Sequence, residues 1–349
     1  MKNTSDCTIL SRWIDEANSV TTICHARPDG DAAGSSVAME SFLREMRGKD
    51  AACILPDDLP RTLGFLSEGH KVFRASRDMA AAQERIRRSD LLICLDFNTP
   101  GRTEKLEDCV RGFGGRKVVI DHHEDPEEGA FDLYFSDTQV SSTCELLYEV
   151  LCAMPDTGGL ASGLPADCAA ALMTGMTTDT NNFANSVFPG TLKMASELLE
   201  AGVDRDGIIR KLYRSERPNR LAAQGEMLSS LMKIEKEGYA VTVLTKDFFT
   251  RHGLLDGETE GFVNLPLSVE GVALSILAKE DGGVFRVSLR SEKGVSARLL
   301  AKRHFHGGGH EQAAGGRILV PEDAESPEAV EDYIRQTTAR FLQEQDSAI

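Results

Sequence analysis

The stretch Val20-Thr21-Thr22-Ile23-Cys24-His25-Ala26-Arg27-Pro28-Asp29-Gly30-Asp31-Ala32-Ala33-Gly34-Ser35 decides how the rest of the chain reads. Val20–Cys24 is an apolar, β-branched run of the kind found in strands buried on both faces. Ser35–Arg47 carries Val37, Met39, Phe42, Leu43 and Met46 at helical spacing. Between them lies a polar loop holding His25, Asp29 and Asp31. Strand, polar loop and helix in that order begin a βαβ unit. Ligands of such sheets sit beyond the carboxyl ends of the strands.

Outward from this stretch the pattern recurs. Ala51–Leu55, Leu91–Leu95 and Lys117–Ile120 read as further buried strands, and Met79–Arg88 as a helix before the third strand. The expected fold class is α/β: an open parallel sheet flanked by helices, followed by a smaller C-terminal α/β domain. Ser142–Met154, Ala166–Met176, Thr191–Ala201, Arg205–Arg214 and Pro218–Ile234 read as helices. Beyond Glu237 the texture changes to strands at Tyr239–Leu244, Ala273–Lys279 and Phe285–Leu289. The expected division is residues 1–190, a helical linker 191–225, and residues 226–349.

The chain has 349 residues, with 39 basic and 55 acidic side chains and a net charge of −16. That balance suits a soluble protein. It argues against long duplex DNA, which needs a broad basic footprint, and against an anionic membrane surface. No run approaches the roughly 20 apolar residues that span a bilayer. Met1–Asp6 lacks the apolar core of a signal peptide, so a cytoplasmic location is expected. All eight cysteines lie at or before Cys168 and none forms a C-x-x-C pair, so reduced, mostly buried thiols are expected rather than disulfides or a zinc ribbon.

Polar clusters fall where the strands end. His25, Asp29 and Asp31 could form a plain turn capped by Asp31 or Ser35, with Gly30 and Gly34 allowing it to bend. Asp96 could be a strand-end cap, Asp121-His122-His123 a solvated turn, and Thr178-Asp179-Thr180 a helix end. Three strands ending in Asp or His make these bland readings weaker together than apart. Four aspartates (Asp29, Asp31, Asp96, Asp179) and two histidines (His25, His122) suffice for two divalent ions sharing one carboxylate. Such pairs commonly serve phosphoryl hydrolysis. A last cluster, His304-Phe305-His306-Gly307-Gly308-Gly309-His310, offers backbone N–H groups to an anion. It lies in Gly271–Val320, which carries eight basic and four acidic residues.

H-x-x-P-D-G-D-x-x-G-S at His25–Ser35, Asp96, D-H-H at Asp121–His123, T-D-T at Thr178–Thr180 and the late G-G-G-H resemble the DHH phosphoesterases with a DHH-associated domain of the first subtype. The resemblance covers roughly residues 15–320, and length and domain pairing resemble the branch that hydrolyses short RNA and pAp. It implies a cleft between two domains. His25, Asp29 and Asp96 would hold one ion, and Asp31, Asp96, His122 and Asp179 the other. The ions would be Mn2+, with Mg2+ or Co2+ as alternatives. Asp121 would orient a histidine, and His123 would face the scissile phosphate as acid or charge stabiliser. Arg290, Gly308, Gly309 and His310 would grip the substrate's terminal phosphate or nucleotide. His306 stands where Asn is common in the family, and Asn181-Asn182 where Gly is common.

The implied function is hydrolysis of very short oligoribonucleotides, linear dinucleotides such as pApA, and 3′-phosphoadenosine 5′-phosphate (pAp) by attack of a metal-activated hydroxide. Rival readings are a hydrolase of cyclic dinucleotides, polyphosphate or single-stranded DNA, and an inactive nucleotide-binding protein. A homodimer is left open. His70 and His252 read as surface turn and loop residues, Trp13 as packing an N-terminal helix on the sheet, and Glu322–Glu325 as a helix start.

Overall fold

The computed structural model describes residues 4–255, 257–309 and 311–346, and the chain divides into two compact units, Met1–Ser215 and Glu216–Ile349. The first unit runs α1 (Thr4–Glu16), β1 (Ser19–Ile23), α2 (Gly30–Glu45), β2 (Asp50–Leu55), β3 (Val72–Arg74), α3 (Met79–Arg87) and β4 (Leu91–Leu95). It continues with α4 (Glu107–Arg111), β5 (Arg116–Asp121), β6 (Leu133–Ser136), α5 (Thr143–Cys152), α6 (Ala166–Asp179), α7 (Pro189–Glu200) and α8 (Arg205–Tyr213).

All six strands are parallel, in the order β3-β2-β1-β4-β5-β6. The direction of winding reverses between β1 and β4, which makes the carboxyl ends of these two strands the natural ligand crevice. Leu10, Ile14, Phe42, Leu146, Val150 and Leu172 cover one face of the sheet; Ile86, Phe97, Val110 and Phe113 cover the other. Trp13 packs against the first of these cores. The four strands expected from sequence are the central ones. The two that were missed, β3 and β6, are the short sheet edges.

Helix α2 begins at Gly30, five residues before the apolar spacing announces it, because Asp29 is the cap: its side chain accepts from the N–H groups of Asp31 and Ala32 at 3.1 and 3.0 Å. The expected cap, Asp31 or Ser35, is therefore corrected to Asp29. Gly30 and Gly34 do not bend a loop. They lie inside the helix, where α6 passes close: a Cβ on Gly30 would stand 2.2 Å from Thr178 Oγ1, and one on Gly34 2.7 Å from the Ala171 carbonyl. Gly175 of α6 answers from the other side, since its Cβ would come within 3.1 Å of Asp31 Cα.

Residues 191–215, read as the start of a linker, belong to the first unit. Met194 and Leu198 of α7 and Ile208 and Leu212 of α8 are buried in its core. Their apolar faces have the main core to join.

The second unit contains α9 (Pro218–Glu226), β7 (Lys233–Glu235), β8 (Tyr239–Leu244), α10 (Lys246–His252), β9 (Leu274–Asp281), β10 (Val284–Ser291), α11 (Ala297–His304), β11 (Gly308–Gly309), β12 (Ala313–Leu319) and α12 (Val330–Asp346). Its sheet has the order β11-β12-β10-β9-β8-β7 and is antiparallel except for the β8–β9 pair. The expected helix Pro218–Ile234 is shorter than its pattern. Ile234 pairs with Ala240 across the β7–β8 hairpin, where Gly238 supplies φ 79°. Glu322–Glu325 precedes α12 as a turn rather than starting it; Asp323 accepts from the Leu319 N–H at 2.8 Å. His70 is also not a surface residue. Its side chain is 4% exposed, and Nδ1 lies 2.6 Å from a fully buried Glu40 carboxylate. His252 ends α10 and meets Glu226 at 2.7 Å. The eight cysteines are unpaired, six of them buried. Among the described residues no helix is long and apolar enough to cross a membrane.

Candidate metal centre

The histidines and aspartates expected as ligands after β1, β4 and β5 meet in the first unit. His25 follows β1. Its Nδ1 donates to the Ala26 carbonyl at 2.8 Å, which leaves Nε2 to face the carboxylates, 3.4 Å from Asp96 Oδ2 and 4.0 Å from Asp29 Oδ2. Asp96 follows β4 directly, in the left-handed region at φ 64°, and its N–H donates to the Ile120 carbonyl of β5 at 3.1 Å. Aspartate tolerates that backbone better than most residues. The turn sends the carboxylate back over the sheet end.

His122 follows β5. Its Nε2 lies 3.7 Å from Asp96 Oδ1, 3.6 Å from Asp179 Oδ2 and 4.0 Å from Asp31 Oδ2. Asp31 comes from the first turn of α2 and Asp179 is the last residue of α6. All six side chains expected as ligands are thus brought together. His25, Asp29 and Asp96 form one set, and Asp31, His122 and Asp179 another, with ligand atoms in each within 4.8 Å of one another.

The electrostatics fit cations. Asp31 and Asp96 are 1% and 2% exposed, and Asp179 is mostly covered. Burial, then the charge of Asp96, holds the Asp31 and Asp179 carboxyls well above the usual range. Burial would raise Asp96 too, but the His25 hydrogen bond and charge, with His123 and His122 beside it, hold it well below. Burial lowers His122. Burial also opposes charge on His25, but Asp96 outweighs it and raises that ring. Packed carboxylates of this kind, with imidazoles between them, make a donor set for hard and borderline divalent ions.

Around this set stand groups that sequence reasoning missed. The N-terminus of α5 holds the aspartates: the N–H groups of Thr143 and Cys144 donate to Asp31 at 2.6 and 2.9 Å, and Thr143 Oγ1 donates to Asp96 Oδ1 at 3.0 Å. Nothing in a lone Ser-Ser-Thr-Cys announces this, because the contact spans two distant loops. Asp121, fully buried, accepts from His123 N and from His123 Nδ1 at 3.2 and 2.7 Å. On the far side of the ring, Arg102 Nη1 lies 3.0 Å from Nε2. Guanidinium only donates, so Nε2 accepts and the ring proton sits on Nδ1. His123 lies near Asp96 and His122, yet both of its nitrogens are engaged.

In the second unit, Arg290 of β10 faces Ala313 of β12, and Gly309 of β11 faces Ala314. Both flank the start of the same strand. Burial presses the Arg290 pKa down. Gly308 and Gly309 form an edge strand rather than an open loop, and Gly307 and Gly309 lie in close approach to the neighbouring strand. A Cβ on Gly307 would stand 1.9 Å from the Gly315 carbonyl, and one on Gly309 2.6 Å from the Ala313 carbonyl. His310 lies outside the described residues.

A doubly wound sheet with paired carboxylates and imidazoles at its switch point defines a metal-dependent phosphoesterase of the DHH type. Residues 19–176 match the DHH family, N-terminal domain, and residues 236–338 the DHHA1 domain. The chain belongs to the DHH family, whose members are phosphodiesterases and phosphatases dependent on divalent metal ions. It is 31% identical to the bifunctional oligoribonuclease and PAP phosphatase NrnA of Thermus thermophilus, over 90% of this chain and 89% of that protein. The Bacillus subtilis protein of the same name is 26% identical over 91% and 95% of the two chains. A cyclic-di-AMP phosphodiesterase of Listeria monocytogenes is 27% identical over 86% of this chain and 45% of its own length. Among solved structures, an exopolyphosphatase-related protein from Bacteroides fragilis superposes with a TM-score of 0.91 at 33% identity, over 99% and 98% of the two chains.

Proposed function

We propose that this protein hydrolyses very short RNA, linear dinucleotides such as pApA, and pAp. In this reading two divalent ions, Mn2+ first, are held by His25, Asp29, Asp31, Asp96, His122 and Asp179. The observation that carries it is the attitude of Asp96: Oδ2 turns to His25 and Oδ1 to His122, as a carboxylate shared by two ions would. When bound, such ions supply Lewis-acid chemistry, making water a better nucleophile and offsetting phosphate charge. The oligoribonuclease and PAP phosphatase activities for which the Thermus and Bacillus relatives are named support the substrate class.

The chain's own groups take the remaining parts. Thr143 and the N–H groups of α5 orient Asp96 and Asp31. Asp121 fixes the His123 ring. With its proton on Nδ1 and Nε2 taken by Arg102, His123 has no proton to give from Nε2, so positioning and charge stabilisation are its proposed part rather than acid catalysis. The first unit is the catalytic one. Arg290, Gly308, Gly309 and His310 of the second are proposed to hold the terminal phosphate or nucleotide, which would favour short chains. A cytoplasmic setting is part of the proposal.

The test is Asp96→Asn, assayed with Mn2+ on pApA, pAp, RNAs of graded length, cyclic-di-AMP and polyphosphate. Loss of hydrolysis with the fold intact is expected, and full activity in the variant refutes the shared-carboxylate reading. A wild-type enzyme that prefers polyphosphate or cyclic-di-AMP refutes the substrate assignment.

A further inference from the structure

Arg102 is a cation beside the metal centre that has no carboxylate partner among the described residues. It sits in the short helical turn Pro100–Leu106 that follows β4. Its backbone is built into the metal loop: the Arg102 carbonyl accepts from the Ala26 N–H at 2.8 Å, and Ala26 in turn accepts from His25 Nδ1. The side chain reaches the opposite loop, where Nη1 donates to His123 Nε2. Asp121, His123 and Arg102 are thus in series, from a buried carboxylate through an imidazole to a guanidinium.

What marks Arg102 out is the company it lacks. Arg27, Arg74, Arg85 and Arg111 of this unit lie against carboxylates, while Arg61 and Arg205 bond other oxygens away from the metal centre. Arg27, on the neighbouring loop, is held by Glu104 at 2.7 Å. Among the described residues Arg102 meets no carboxylate, and its one side-chain hydrogen bond is to His123. A guanidinium has five N–H donors in a planar fork, matched to two oxygens of a phosphate. Here a single donor is spent, on the imidazole nitrogen of His123.

We infer that Arg102 is a further catalytic residue, whose free N–H groups bind the non-bridging oxygens of the scissile phosphate, with Asp121 and His123 aiming it. A permanent positive charge there stabilises the extra negative charge that phosphorus gains in the transition state. The inference rests on the site proposed above and assigns Arg102 no metal-binding part.

The experiment compares wild type with Arg102→Ala, Arg102→Lys and Asp96→Asn. Calorimetry with Mn2+ should give Arg102→Ala the wild-type ion count, and its melting temperature should stay close to wild type. Its kcat/KM on pApA should fall about a hundredfold, the usual scale for one lost oxyanion donor. Inorganic phosphate should bind its Mn2+-loaded form about tenfold more weakly. Added millimolar guanidinium should restore part of the activity of Arg102→Ala but none to Asp96→Asn, and Arg102→Lys should fall between. Activity within threefold of wild type, unchanged phosphate binding, or lost Mn2+ binding in Arg102→Ala overturns the inference; the last would make the residue structural. A wild type that cleaves polyphosphate and not pApA refutes the substrate reading alone, and the same comparison is then made on polyphosphate.

Discussion

Asp179→Asn should stabilise the metal-free protein and remove most of its response to metal ions. The ligand atoms of Asp31, His122 and Asp179 lie within 4.8 Å of one another. Two unit negative charges at that distance repel by about 3.5 kcal/mol at an effective dielectric constant near 20. Two things reduce this. The Asp179 side chain is 28% exposed, so solvent screens it. The carboxyls also relieve one another by taking up protons, both being held above their usual range by burial and then by Asp96. A net gain of about 1–2 kcal/mol remains, or about 2–8 °C in melting temperature for a unit of this size. The sign follows from the raised carboxyls. Their favourable contribution is complete below the pKa of an unfolded aspartate and is lost as pH rises through the folded value. The variant's advantage should therefore be larger at pH 8 than at pH 5. Calorimetric melts in EDTA read the first effect, and melts in Mn2+ the second. At a hundred times Kd an ion adds about 2.7 kcal/mol to wild type and should add much less to the variant. A variant that melts at or below wild type in EDTA at pH 8, or that gains as much from Mn2+, refutes the reasoning.

Two other substitutions probe the frame of the site. Thr143→Val removes the hydroxyl that donates to Asp96 at 3.0 Å while keeping side-chain shape. Mn2+ affinity or turnover should fall about 10–100-fold, with Thr143→Ser close to wild type, as calorimetry and initial rates would show. Gly175→Ala puts a methyl 2.3 Å from Cys144 Sγ and 2.9 Å from Asp31 Oδ1. It should cost about 1–3 kcal/mol and activity together, and Cys144→Ala in the same chain should recover part of the stability in thermal melts.

The central strands, and the polar side chains that meet at their ends, were legible in the sequence for a physical reason. A strand buried on both faces is a continuous apolar run, so Leu91–Leu95 stands out and the Asp that ends it is conspicuous. Edge strands bury less, so Val72–Arg74 shows no such run. Helix α2 is buried from Gly30 to Leu43, which erases the periodicity that marks an amphipathic helix. Thr143 and Arg102 act across loops distant in sequence, and neither residue type suggests a metal site by itself. That the glycine run pairs as a strand was not legible, because three glycines suit a loop and a crowded strand pairing equally well; the closeness of Gly315 to Gly307 decides the local structure.

The contact of α2 with α6 works as a caliper. Asp31 starts one helix and Asp179 ends the other, and Gly34 and Gly175 let the two main chains press together where a side chain would hold them apart. The gap between the two main chains that carry these carboxylates is thus set by backbone against backbone, and the Asp31 carboxylate is fixed in turn by the N–H groups of α5. Loading with ions should then change protonation far more than shape. It also follows that drift in the surrounding core can be absorbed without resetting the jaws, so long as the two positions stay glycine.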